Sequence, residues 1–210
     1  EFEQPLELVL VDAPGVQLGV AAFAGEEVVD VEAAHVGVFE VGEVFEEHVI
    51  VDAVGGFACQ DRPADALTGA AVRHLERDLG SPFADGYRSE ILPQLPYWMQ
   101  AVLGSLESGL VLFIDYGYPR QTFYLPERSD GTLVCHYRHR AHADALILPG
   151  LQDITAFVDF TALAEAANHA GFAVAGFASQ AQFLIAAGLA NSFEKATIGA
   201  DEVRCYRLAQ

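Results

Sequence analysis

Hydrophobic and polar positions alternate in different ways along the chain. Over residues 6–60 the apolar positions come in short, Val-rich, partly alternating runs at 9–11, 16–23, 28–31, 36–41 and 44–51, with turn signals at Ala13-Pro14-Gly15 and Ala24-Gly25. This pattern predicts an antiparallel meander that can keep one acidic face in water. The period then lengthens. Pro63 suits a first helical turn, and Leu67, Ala71, Leu75 and Leu79 fall on one helix face before Gly80, a good stop. Residues 81–89 read as a loop, and a second helix runs from near Pro96 to Leu106, ended by Gly109. The continuous apolar run 110–114 follows, bounded by Asp115, and reads as a strand buried on both faces.

Beyond Asp115 lies a long segment with no obvious structure of its own. Such a loop at the carboxyl end of a buried strand is where open α/β sheets place their ligand sites. Regular pattern resumes at Asp159, which suits the N-cap of a helix reaching about His169, with Gly171 beyond it. A strand at 172–177, a helix capped by Ser179 and stopped near Gly188, and a final strand at 202–208 complete an α/β alternation. The acidic β-rich segment 1–61 and the remainder 62–210 form the two expected divisions.

Charge sharpens this picture. The chain has 210 residues, 11 Lys and Arg against 30 Asp and Glu, and a net charge of −19, with no Lys or Arg before Arg62. An acidic body of this kind argues against nucleic acid as a partner, since phosphate binding draws on Lys and Arg. No apolar run reaches the roughly 20 residues of a membrane span, and the N-terminus has no signal-peptide pattern. Three scattered cysteines suggest a reducing compartment, the cytoplasm. Between Asp115 and His142 the balance reverses, with Arg120, Arg128, Arg138 and Arg140 concentrated there. The one basic region on an acidic body should attract an anionic group or acidic peptide.

Candidate chemistry therefore gathers in 115–160. Asp115 can orient a base or hold a ligand, with Tyr116 and Tyr118 as pocket walls on either side of Gly117. His136, His139 and His142 recur every three residues, which would admit zinc on a helix; the intervening Arg138 and Arg140 repel a divalent ion, and no metal is expected. An extended segment would instead put His136, Arg138 and Arg140 on one face, offering forked donors and an acid–base group. Gln152 and Asp153 supply an amide and a carboxylate. Nucleophile-elbow, P-loop and G-x-G-x-x-G motifs are absent.

Taken together, Gly86-Tyr-Arg-Ser-Glu90, Phe113-Ile-Asp-Tyr-Gly-Tyr-Pro-Arg120, Gly131-Thr-Leu-Val-Cys-His-Tyr-Arg-His-Arg140 and Pro149-Gly-Leu-Gln-Asp-Ile-Thr155 resemble the MidA-like family of S-adenosylmethionine-dependent methyltransferases, related to the mitochondrial complex I assembly factor that methylates an arginine. The resemblance covers roughly residues 60–190. It implies an α/β fold, the C-terminal portion of a Rossmann-like class I methyltransferase with an antiparallel β insertion, whose last strands pair as a reversed hairpin and whose central strand is 110–114. It implies methylation of a protein arginine, with a respiratory complex I subunit as the type of target. Asp115, His136 and His139 then become the catalytic candidates, and Tyr116, Tyr118, Arg138, Arg140, His142, Gln152, Asp153 and Asp159 the substrate-binding ones. The cofactor implied for the full-length protein is S-adenosyl-L-methionine. The family's glycine-rich cofactor loop lies in an N-terminal half outside this sequence, so weak binding is expected of this chain alone. The sequence departs from the family at Phe157, where the family has His, and at Ala143, where it has an acid. The resemblance implies a protein substrate as partner, is compatible with a homodimer, and would place a eukaryotic member in the mitochondrial matrix. The alternative is a non-catalytic protein-binding module derived from a methyltransferase.

Overall fold

A computed structural model describes the backbone of residues 6–12 and 34–40 and all atoms of 43–198. The expected strands at 16–23, 28–31 and 202–208 lie outside the described residues. In chain order the elements are β1 (Leu6–Asp12), β2 (Ala34–Glu40), β3 (Glu43–Val51), β4 (Phe57–Pro63), α1 (Ala66–Leu79), β5 (Tyr87–Ile91), α2 (Leu95–Leu103) and β6 (Leu110–Tyr118). There follow α3 (Arg120–Phe123), β7 (Val134–Tyr137), β8 (Arg140–His142), β9 (Asp153–Thr155), β10 (Val158–Asp159), α4 (Phe160–His169), β11 (Ala173–Ser179), α5 (Gln180–Ala186) and α6 (Leu189–Thr197).

Three sheets organise these elements, in strand orders β10-β6-β1-β11, β4-β3-β2-β5 and β8-β7-β9. In the first, β1 runs antiparallel to both β6 and β11, while β10 pairs with β6 in parallel. The meander expected from residue 6 onward is therefore divided: β1 leaves it for the sheet that carries the site, and β5 joins β2 instead. The segment Tyr87–Ile91, expected in part as loop, is this fourth strand, with Tyr87, Ser89, Glu90 and Ile91 buried. Polar residues at buried positions concealed it from a hydrophobicity pattern.

Helix boundaries follow local chemistry. Asp65 caps α1 by accepting from the Thr68 N–H at 2.7 Å, and Gly80 ends it in the left-handed region at φ 76°. Pro63 belongs to β4, not to the helix. Asp159 caps α4 through the N–H groups of Thr161 and Ala162. Ser179 and Gln182 form a reciprocal capping box at the start of α5.

The main core lies between α2, α4 and one face of β6. Met99, Leu103, Phe160, Leu163, Ala166 and Ala167 are buried, with Val111 and Phe113 packed against them. A second core joins α1, β5 and α3 through Val72, Leu75, Tyr87, Ile91, Phe123 and Tyr124. Successive strand residues point to opposite faces, so Val111 and Phe113 address the helix layer and Asp115 and Gly117 come next on that face. Strand β6 does not end at Asp115; it continues through Tyr118 because β1 pairs along it up to Tyr116 and β10 pairs with Gly117 and Tyr118. Nor is it buried on both faces, since Ile114 is 52% and Tyr116 41% exposed.

Arg120 locks the layers together. Its guanidinium, 7% exposed, donates to Asp78 of α1 at 2.5 Å, to Asp159 at 3.3 Å and to Glu165 of α4 at 2.5 Å. Its backbone N–H donates to Thr161 Oγ1 at 3.0 Å. Removing a buried partner strands the opposite charges. Arg120→Met should therefore lower unfolding stability by about 3–5 kcal/mol, as measured by urea denaturation, with Arg120→Lys recovering only part of it. At Gly117, a Cβ would meet the Val158 backbone and Phe160 Cε2. Gly117→Ala should cost roughly 1–3 kcal/mol in the same assay by forcing β10 away from β6.

Candidate functional site

A cleft of about 730 Å³ opens between the end of β6, helices α1, α2 and α4, and the segment 154–158. Its walls are largely apolar, with Trp98, Phe113, Ile154, Phe157 and Leu163 among them. The Trp98 and Phe113 rings lie 6.1 Å apart. Trp98 Nε1 is buried with no hydrogen-bond acceptor in the structure. The polar lining is predominantly acidic, with Glu90, Asp115, Asp159 and Glu165 facing Arg120, His74 and His169.

Asp115 stands where β6 passes the edge of the helix layer. Although the residue as a whole is exposed, desolvation of its carboxyl in the cleft raises it above the ordinary carboxylate range, against the pull of the hydrogen bond from the Tyr116 N–H at 2.7 Å. Asp159 is likewise pushed up by burial, opposed by its backbone donors and by Arg120. Asp159 is committed to capping α4 and binding Arg120, so it holds the wall and has little capacity left for a ligand.

The basic segment takes a different form from the long loop anticipated. It folds into its own three-stranded antiparallel sheet, with Cys135 opposite His142, His136 opposite Ala141 and Asp153, and Tyr137 opposite Arg140. Arg138 and His139 form the two-residue tip, both in the left-handed region at φ 47° and 62°. His136, Arg138, His139 and Arg140 are exposed and do not line the cleft. The regular alternation assumed for an extended run is broken at that tip.

Of the residues nominated from sequence, Asp115 and Asp159 line the cleft; the others do not. Tyr116 is exposed, and Tyr118 packs on Phe157 at 5.5 Å beneath the Arg128 guanidinium, 4.0 Å from the ring centroid. Gln152 ties its own loop by donating to Ala145 O at 2.6 Å. His142 is half-buried, and its Nδ1 has no partner. Asp153 is exposed on β9. Cys135 is fully buried and its thiol is pushed up by desolvation, which makes it a poor nucleophile. Cleft residues not nominated from sequence as site residues include Trp98, His74, Glu165 and His169, which sit on helices and become neighbours only through the packing of α1, α2 and α4.

Two ligand classes can be weighed against these residues. His74, Asp78 and Glu165 present donor atoms within 4.8 Å of one another. Arg120 already donates to both carboxylates, however, and its cation occupies their field. For a nucleotide-bearing cofactor, the strand-to-helix junctions among the described residues contain no glycine-rich turn. These residues supply instead an acidic, apolar-walled receptor suited to a cationic group.

Comparison with known proteins places this architecture. Residues 8–178 match the family described as "Putative S-adenosyl-L-methionine-dependent methyltransferase". No curated protein matches the chain. A superfamily protein from Burkholderia thailandensis, crystallised with S-adenosyl-homocysteine bound, is 34% identical with a TM-score of 0.72; the match covers 85% of this chain and 45% of that one. A high-resolution native crystal structure of a superfamily protein from the same organism is 36% identical with a TM-score of 0.73, covering 83% of this chain and 45% of that one. This chain thus spans a little under half the length of those solved structures. The mixed α/β layers described above are those of a Rossmann-like methyltransferase fold. With the family model covering most of its length and these structures sharing about a third of its residues, the chain belongs to this family of S-adenosyl-L-methionine-dependent methyltransferases.

Proposed function

We propose that this chain forms the acceptor side of a methyltransferase whose substrate is a protein arginine, of the kind found in a respiratory complex I subunit. The observation that supports it is the cleft itself: among the described residues, four carboxylates and one Arg within aromatic and aliphatic walls. A guanidinium on an aliphatic stem is a complementary guest, since its planar head pairs with carboxylates and its stem with apolar surface. The cofactor supplies a methyl group on a sulfonium sulfur when bound. A guanidinium nitrogen taking up that methyl group would release one proton, which a base in the cleft would have to accept.

Asp115 is the group proposed to accept that proton. Its raised proton affinity makes it a better base than an ordinary surface carboxylate, and positioning the nitrogen beside it supplies much of the remaining advantage. Glu165 and Glu90 set the negative field that draws the cation in, while Trp98 and Phe113 limit water at the acceptor. The exposed cations Arg138 and Arg140 do not line the cleft, and their proposed part is to steer the substrate protein by surface contact.

Incubating the full-length protein with methyl-labelled S-adenosyl-L-methionine and arginine- or lysine-bearing protein acceptors should yield label in methylarginine. Label confined to lysine would refute the assignment. Asp115→Asn should reduce transfer by about 10²-fold or more. The same substitution should increase unfolding stability at neutral pH, because ionised Asp115 is disfavoured in the folded state. The raised folded value means that this penalty grows as pH rises above the ordinary Asp value of 3.8. The stability gain should therefore vanish in acid, and urea denaturation across pH 3–8 checks it.

A further inference from the structure

We propose that Glu90 is a positioning residue that ties two separate wall segments of the cleft, 131–133 and 156–158, into one unit. This rests on reading the cleft as the acceptor site, while the geometry behind it stands apart from the chemistry. Glu90 lies on β5 and is 5% exposed, and among the described residues its carboxylate accepts from no Arg, Lys or His. Its oxygens accept instead from the segment leading into β7. Thr132 N–H reaches Oε1 at 3.1 Å and Oε2 at 2.9 Å, Leu133 N–H reaches Oε1 at 3.1 Å, and the Thr132 hydroxyl donates to Oε2 at 2.8 Å. A buried carboxylate is tolerable when peptide donors satisfy it in this way.

The same threonine hydroxyl accepts from the Phe157 N–H at 2.9 Å. A directional chain therefore runs from Phe157 N–H to the Thr132 hydroxyl to Glu90, and each bond polarises the next. Leu133, Phe157 and Glu90 all line the cleft, so both ends of the chain are wall. Gly131 is shaped to this contact. It adopts φ 76°, and a Cβ there would strike Glu90 Oε1. A short isolated bridge between Arg88 and Asp130, with Arg88 N–H donating to Ser129 O at 2.7 Å, brings the segment alongside β5. The tertiary contact thus spans some 40 residues of sequence at one end and 25 at the other.

If Glu90 holds both segments, releasing its grip on Thr132 loosens 156–158 together with 131–133. Amide hydrogen exchange on the full chain tests this without needing a substrate. Glu90→Gln, which replaces an acceptor oxygen by a donor, should speed exchange at Thr132, Leu133 and Phe157 at least tenfold, while α2 and α4 keep their protection. The single tryptophan, Trp98, lines the cleft and reports its opening, so acrylamide quenching should rise in parallel. Thr132→Val should speed Phe157 alone, and Thr132→Ser, which keeps the hydroxyl and drops the methyl, should restore wild-type exchange there. Unchanged Phe157 exchange in Glu90→Gln, or equal effects of valine and serine at Thr132, would overturn the coupling. Should Glu90→Gln unfold the chain, Glu90→Asp, which keeps the carboxylate but shortens its reach, decides it by the same exchange readout, and unchanged Phe157 exchange there would overturn the coupling. A failure to methylate arginine would leave these exchange results untouched, so the two proposals fall separately.

Discussion

One buried cation, Arg120, ties the layers of this fold together. Arg120 emerges immediately after β6 and reaches three carboxylates drawn from α1, the cap of α4 and the body of α4. Buried Asp159 alone would be an expensive burial; with the half-exposed Asp78 and Glu165 it shares one cation, and the three together fix the distance between α1 and α4 and therefore the width of the cleft between them. The arrangement also orders its own parts. Asp159 caps the helix, and Thr161 on the first turn accepts from the Arg120 backbone. The ion cluster is thus continuous with the peptide hydrogen bonds of β10 and α4, and the β6–α3 junction has little freedom to drift.

Negative charge runs through the chain at two scales. The net charge of −19 describes this chain in water, where it draws cations from a distance. The carboxylates of the cleft act locally, inside apolar walls where a charge interaction is screened less. A cation arriving there exchanges water for carboxylates already held by helix caps, peptide donors and Arg120. The field is thereby preorganised, which is what the proposed guanidinium site would require.

How much of this could be read from the residues alone depended on distance along the chain. Helix ends were legible because their signals are local: Gly80, Asp159 and Ser179 act within four residues of themselves. The family likeness was legible for the same reason, since its motifs are contiguous. The continuation of β6 through Asp115, Tyr116 and Gly117 was not, because polar residues and a glycine read as a turn until β1 and β10 supply partners. Arg120 looked like one more member of a basic, outward-facing run; its partners lie 39 to 45 residues away. Glu90 was hidden in a stretch read partly as loop. The cleft's helical contributors, Trp98, His74 and Glu165, carried no motif.

The tip of the small basic sheet shows what this surface has given up. Two-residue hairpins of this hand are most comfortable with asparagine and glycine, yet here arginine and histidine occupy both left-handed positions. An L-residue bears a penalty of about 1–2 kcal/mol in that conformation. An apex of this kind holds Arg138, whose guanidinium lies 5.3 Å from the Tyr137 ring centroid, and the exposed His139 on a defined bend, where a glycine tip would be freer. Evolution of this surface is then constrained in an unusual manner: residue swaps that relax the backbone would simultaneously erase the presentation of charge.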